Sequence, residues 1–223
     1  DTEHHPFTEA DVQGIIQALR PTETSCIVRV RGNDPAHIKW VLDTGADGII
    51  VPMLESAEDA QLAVKAAKYL PLGGRGYGPL RATQFWADKQ AYDVSANEQI
   101  LLICMIEHPG AVRDIDRIAQ MPGIDGLWIG PDDLSHAMGH LGNAKQPDVK
   151  LAISQVIDAA NQHGKPWGIP VGDMETLVHY VNRGGLIMTV GSSSNLLSQA
   201  ATEKVAGARQ SIADCVAACE AIR

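Results

Sequence analysis

Two apolar runs near the middle of the chain each end in a carboxylate, and this pairing limits the fold more than any other feature. Gln99 to Ile106 runs into Glu107, and Gly126 to Pro131 runs into Asp132-Asp133. Continuous apolar runs of this length read as strands buried on both faces, as in a parallel sheet covered by helices. Between them, Pro109 to Gln120 carries apolar residues at helical spacing (Val112, Ile115, Ile118, Ala119). A strand–helix–strand unit of this kind brings both acids to the C-terminal ends of neighbouring strands, where α/β folds place their chemistry. Two oxygen ligands meeting there suit a hard divalent cation that keeps open positions for substrate. The plainer alternative is one acid capping the next helix and the other simply solvated.

Similar units recur along the chain. Ser25 to Arg31, Gly48 to Met53, Trp167 to Val171 and Leu186 to Val190 read as further strands. Helices are expected over Thr8–Arg20, Pro35–Thr44, Ser56–Tyr69, Asp148–His163, Met174–Asn182 and from Ser194 onward. Asp34 precedes Pro35 as a cap, and Ser56 with Asp59 forms a near capping box. Alternating parallel strands and helices mean a closed eight-fold barrel or an open doubly wound sheet. An open sheet would want a Gly-rich phosphate turn after its first strand, and the sequence has none there. The expectation is therefore an α/β fold of the TIM (β/α)8 type. Six strands are counted and a closed barrel needs eight, so the chain reads as starting late, without its first strand-helix and most of strand two.

The 223 residues are enough for one core, and a single domain over residues 1–223 is expected. A net charge of −9 argues against nucleic acid or an anionic membrane surface as partner. No apolar run approaches the length of a membrane span, and the chain opens at Asp1-Thr2-Glu3 with no signal-peptide pattern. Cys26, Cys104, Cys215 and Cys219 lack zinc-type spacing, so reduced thiols and a cytoplasmic location are expected.

The strand ends offer Asp1, Glu3, His4 and His5, then Arg29 and Arg31, Pro52-Met53, Glu107/His108, Asp132/Asp133, Gly172/Asp173, and Gly191 to Ser194. Only one of Arg29 and Arg31 is expected to face the barrel interior. Asp43 reads by itself as a turn acid, and Gly73 to Gly78 as a flexible loop.

The order of short motifs resembles a known family. Glu3-His4-His5-Pro6, Arg29 with Gly32-Asn33-Asp34, Leu42-Asp43-Thr44-Gly45-Ala46, Ile50-Val51-Pro52-Met53 and Gly74-Arg75-Gly76 come first. Ile106-Glu107, Gly130-Pro131-Asp132-Asp133-Leu134-Ser135 and Met138-Gly139 follow. From Asp1 to about Leu197 this is similar to the class II, metal-dependent pyruvate aldolases of the 4-hydroxy-2-oxo-heptanedioate aldolase/citrate-lyase-β (HpcH/HpaI) type. The resemblance implies a TIM barrel and metal-ligating carboxylates at Glu107 and Asp133. It makes Arg29 the group that holds the keto oxygen as it becomes an enolate, with His4 as general base and Asp43 paired to it. The backbone N–H of Asp132 would receive the pyruvate carboxylate, and Asp133 lies beside the substrate. Met105 departs from the pattern, because several relatives carry a substrate-contacting Gln there.

The implied reaction is reversible retro-aldol cleavage of a 4-hydroxy-2-oxo acid, a 2-keto-3-deoxy sugar acid or a hydroxy-oxo diacid, to pyruvate and an aldehyde through a metal-bound enolate. Mg²⁺, Mn²⁺ or Co²⁺ would serve as cofactor. No lysine stands at an obvious strand end for a Schiff base. Oxaloacetate decarboxylation would use the same enolate. A non-catalytic metabolite-binding relative has no need for Arg29, Glu107 and Asp133 together, and no basic cluster suits the diphosphate of a CoA thioester. The C-terminal helix, about 194–222, carries an apolar stripe (Val205, Ala208, Ile212, Val216, Cys219) and is expected at a subunit interface of a homo-oligomer, a trimer or hexamer by the resemblance.

Overall fold

The computed structural model describes residues 1–221, with side-chain surroundings through residue 218. Six parallel strands form one sheet in sequence order: β1 (Ile27–Arg29), β2 (Gly48–Val51), β3 (Leu101–Ile106), β4 (Gly126–Ile129), β5 (Trp167–Pro170) and β6 (Ile187–Thr189). The sheet curls into a partial barrel. Helices α1 (Glu9–Leu19), α2 (Pro35–Asp43), α3 (Ala57–Ala67), α4 (Lys89–Gln99), α5 (Pro109–Arg113), α6 (Ile115–Gln120), α7 (Pro131–Ala137), α8 (Pro147–Gln162), α9 (Met174–Asn182) and α10 (Ser193–Ala221) complete the chain.

Strand alternation sorts the apolar residues into two cores. Val28, Ile49, Val51, Leu102, Cys104, Ile106, Leu127 and Ile129 face the helices. Ile103, Met105 and Trp128 form a separate inner cluster with Ile27, Ile50 and Ile187. Arg29 follows Ile27 by two residues, and Glu107 follows Met105 by two, so both continue the inner row at the C-terminal edge.

The expected caps are present. Asp34 accepts the Ala36 N–H at 3.0 Å, and Ser56 accepts that of Asp59 at 3.2 Å. The single helix expected over Pro109–Gln120 is two. Asp114 leaves helical geometry between α5 and α6, and its carboxylate accepts the Ala57 N–H at 2.9 Å, capping the start of α3. Helices α4 and α7 were not anticipated. α4 buries only Ala96, so it has no apolar stripe to read; α7 begins at Pro131 directly after β4, inside what read as the end of a strand.

α10 is a 29-residue helix whose apolar residues stand in solvent, including Leu197 at 72 % and Ile212 at 64 % exposure. The expected stripe member Cys219 lies outside the described side chains, and Ile222, the expected end of the helix, outside the described residues. Cys26, Cys104 and Cys215 carry free thiols. Among the described residues no helix is long and apolar enough to cross a membrane.

Candidate active site at the C-terminal strand ends

Glu107 is the pivot of the mouth. It is 4 % exposed. Its Oε1 accepts the Met53 N–H at 2.6 Å, and its Oε2 is buried with no partner. Burial, together with the negative charges of Asp133 and Glu3, pushes its carboxyl up to about 7; the Met53 hydrogen bond and Arg29 oppose the shift. Met53 reaches it from the end of β2 with φ 58°, a strained backbone that a residue with a Cβ adopts at some cost. Opposite stands Gly130. A Cβ there would lie 2.6 Å from Glu107 Oε2 and 2.7 Å from Met105 Cε, so only glycine lets β4 pass this close to the acid.

Asp132 and Asp133 occupy the first turn of α7, exposed above Glu107. At a helix start the amides of these residues have no intrahelical acceptor, and the first helical bond runs from Leu134 N–H to Gly130 C=O at 3.0 Å.

Arg29 is held from the N-terminal segment. Its Nε and Nη2 donate to Asp1 Oδ1 and Oδ2 at 2.8 and 2.6 Å. Its Nη1 lies 3.1 Å from Glu3 Oε2, an ion-pair contact outside hydrogen-bond geometry that leaves this oxygen unpartnered. Thr2 ties the segment to the strand end by donating its amide and hydroxyl to the Arg29 C=O at 2.9 and 2.7 Å.

Arg31 requires a correction. Residues two apart on a strand share a face, so alternation cannot separate Arg29 from Arg31. β1 ends at Arg29; Arg31 lies beyond it, exposed, and donates to the Phe7 C=O at 3.1 Å.

The structure does not bring His4 and Asp43 together within one chain. His4 is 57 % exposed at the mouth, and its nearest acid is Glu3 at 3.7 Å. Asp43 is the last residue of α2, at the opposite end of the sheet, and pairs with Arg75. The two ends are separated by about the length of α1, roughly 16 Å for 11 residues.

Asp1, Glu3, Glu107 and Asp133 set four carboxylates against the single guanidinium of Arg29, a surplus of negative charge that favours a cation. The orphaned Glu107 Oε2 beside Asp133 provides oxygen donors of the type a hard divalent ion takes. No cluster of three or more His, Cys, Asp or Glu side chains among the described residues is arranged for a metal. Glu107 and Asp133 are the two carboxylates here that could hold such an ion. A cavity of about 490 Å³ lies elsewhere, between α1, α2 and α4 at the N-terminal strand ends, with Ile16, Cys26 and Tyr92 in its wall. The perturbed acid and the unpartnered oxygens make the C-terminal strand ends, not that cavity, the candidate site.

Sequence reasoning missed the Met53 amide and the Asp1–Glu3 clamp on Arg29. Pro52-Met53 gives no hint of a positive φ, and nothing in the pattern of Asp1 to Glu3 tells that they fold back on β1.

The model of the HpcH/HpaI aldolase/citrate lyase family matches residues 1–200. The chain belongs to this family. It is 36 % identical over 203 residues to a 2-dehydro-3,6-dideoxy-6-sulfogluconate aldolase of Pseudomonas putida, covering 91 % of this chain and 80 % of the relative. It is 38 % identical over 202 residues to a 4-hydroxy-2-oxo-heptane-1,7-dioate aldolase of Klebsiella pneumoniae, covering 90 % and 76 %. A solved family protein from Burkholderia cenocepacia superposes with a TM-score of 0.88 at 32 % identity, covering 94 % of this chain and 84 % of that one. As an HpcH/HpaI member with relatives named aldolases, the chain is a carbon–carbon lyase.

Proposed function

We propose that this HpcH/HpaI lyase is a divalent-metal-dependent pyruvate aldolase that reversibly cleaves a 4-hydroxy-2-oxo acid to pyruvate and an aldehyde. The observation that carries the proposal is the buried Glu107 with an unpartnered oxygen and a carboxyl raised to about 7, next to Asp133 and Arg29. Glu107 and Asp133 would hold the cation (Mg²⁺, Mn²⁺ or Co²⁺), which when bound supplies Lewis-acid charge to the carboxylate and keto oxygens of an oxo acid. Asp1 and Glu3 fix the Arg29 guanidinium and leave N–H groups of Nη1 to donate to the keto oxygen as it gains charge. The free amide of Asp132 receives the substrate carboxylate. The apolar inner row of Ile103, Met105 and Trp128 floors the site and excludes water.

His4 takes the 4-hydroxyl proton. Its own Asp43 is a barrel length away, so an acid partner for it comes from Asp43 of a second copy. The exposed apolar residues of α10 support such a homo-oligomer, a trimer or hexamer. Sedimentation should show an assembly at micromolar concentration, and a stable monomer would remove the intersubunit pair. Free thiols support a cytoplasmic setting, and the partial barrel would close as a full (β/α)8.

A coupled pyruvate-release assay over a panel of 4-hydroxy-2-oxo acids and oxaloacetate, with and without chelator, tests the proposal. Chelator-sensitive cleavage of at least one hydroxy-oxo acid is expected. Turnover of oxaloacetate alone would make the protein a decarboxylase, and full activity after exhaustive chelation would remove the metal.

A further inference from the structure

Among the described residues, five buried side-chain atoms lack a hydrogen-bond partner: Glu3 Oε2, Asn33 Oδ1, Glu107 Oε2, and Nε and Nη1 of Arg75. The three oxygens belong to segments at the C-terminal strand ends. Arg75 sits at the other end, with a side chain of 0 % exposure. Its remaining nitrogen, Nη2, donates to Asp43 Oδ1. The guanidinium carbon lies 4.7 Å from the centre of the Tyr69 ring, and that ring is packed between Tyr77 and Tyr92. Burying a guanidinium with two idle donors is a poor way to gain stability, since an apolar pair of similar volume would do as well or better. The arrangement does something else: one oxygen of Asp43 is fixed end-on by a side chain that is itself locked against an aromatic face. The second oxygen faces Gly78, where even a Cβ would stand 3.7 Å away.

We propose that Arg75 is a positioning residue, holding the Asp43 carboxylate in one orientation so that its second oxygen engages His4 of a second copy. The proposal rests on the intersubunit pair put forward above. Arg75 touches no substrate in this scheme; it acts through Asp43.

Two reactions separate positioning from plain stabilisation. Aldol cleavage needs a base for the 4-hydroxyl proton, whereas decarboxylation of oxaloacetate needs only stabilisation of the developing enolate. The full-length oligomer and its Asp43→Asn, Arg75→Met, Arg75→Lys and double Asp43→Asn/Arg75→Met variants would be assayed for both reactions, using the best-cleaved 4-hydroxy-2-oxo acid of the panel. Arg75→Met should lower kcat for cleavage by about 10–100-fold with KM little changed, the scale of a catalytic group displaced by about 1 Å. Oxaloacetate decarboxylation should hold, Arg75→Lys should recover part of the loss, and the double variant should be no worse than Asp43→Asn. Wild-type cleavage by Arg75→Met, additive losses, or a parallel fall of both reactions with the melting temperature would overturn the proposal. Should Arg75→Met fail to fold, Arg75→Lys is scored by the same split between the two reactions. Wild-type cleavage by Asp43→Asn would instead dispose of the intersubunit pair; an impaired Asp43→Asn beside an unimpaired Arg75→Met would dispose of the role of Arg75 alone.

Discussion

Lys68 at the N-terminal strand ends is buried as deeply as Glu107 at the C-terminal ends, yet their surroundings are opposite. The side chain of Lys68 is 1 % exposed, and its ammonium spends all three donors: on Asn97 O at 2.9 Å, Ile100 O at 2.5 Å and Asp125 Oδ2 at 2.8 Å. Asp125 in turn accepts the Leu102 N–H at 2.8 Å. The result is a closed polar network that ties α3 and α4 to the start of β3. Glu107 has one donor from Met53, one empty oxygen, and like charges nearby. A buried polar group satisfied on every side makes one structure unique, whereas one left unsatisfied costs stability and is kept for a ligand. Lys68 is thus a buried charge closed into the fold, and Glu107 a buried charge left open to a ligand.

The largest test of this contrast is a pair of substitutions. Glu107→Gln should reduce lyase turnover by more than about 100-fold, beyond the range seen when only an outer-shell partner of a metal ligand is lost. The protein should remain folded. Lys68→Met should do the reverse, costing about 3 kcal/mol of unfolding free energy by stranding Asp125, with turnover per folded molecule retained. Equal effects on stability and turnover at both ends would break the comparison.

Within the mouth, Arg29→Ala should lower turnover by about 10²–10³, the scale of one lost electrostatic donor to a developing oxyanion. Arg31→Ala should leave it nearly unchanged, because Arg31 lies beyond β1 and binds only the Phe7 carbonyl. A crippled Arg31→Ala variant would mean that the inner row is wrongly assigned.

The smallest effect sharpens the role of burial. Glu107 titrates at about 7 in the fold, above its ordinary value. Between the unfolded and folded values the native state holds a proton that the unfolded chain has lost. Stability from this group therefore declines as pH rises through that window. Metal-free Glu107→Gln should be more stable than the parent at pH 8, by up to about 3 kcal/mol, with the difference vanishing below about pH 4.5. Melting curves across pH with chelator present would check it; a constant difference would mean that the shift is not the cause.

Much of this was legible before any coordinates. Continuous apolar runs name the six strands, and an acid two residues past Met105 must share its face. Pro35 and Ser56 mark helix starts because their chemistry at the first turn is local. What was not legible depends on chain segments meeting from far apart. Met53, at positive φ, donates its amide to Glu107, 54 residues further on, and Asp114 breaks a helix to cap another one 57 residues upstream. α4 stayed hidden because it covers little core and so carries no stripe. His4 and Asp43 both stand in motifs of the resemblance, but sequence order alone could not reveal that they occupy opposite ends of the sheet.

Exchange of the pyruvate methyl protons in D₂O, followed by NMR, tests the central claim most directly, because it reports enolate formation without requiring the aldehyde to be known. Protein with Mg²⁺ or Mn²⁺ should deplete the methyl signal, and chelator or Glu107→Gln should stop the exchange while Lys68→Met, at a temperature where it is folded, should not. Exchange that persists in the Glu107→Gln protein after chelation would contradict the assignment of this end of the sheet as the reactive one.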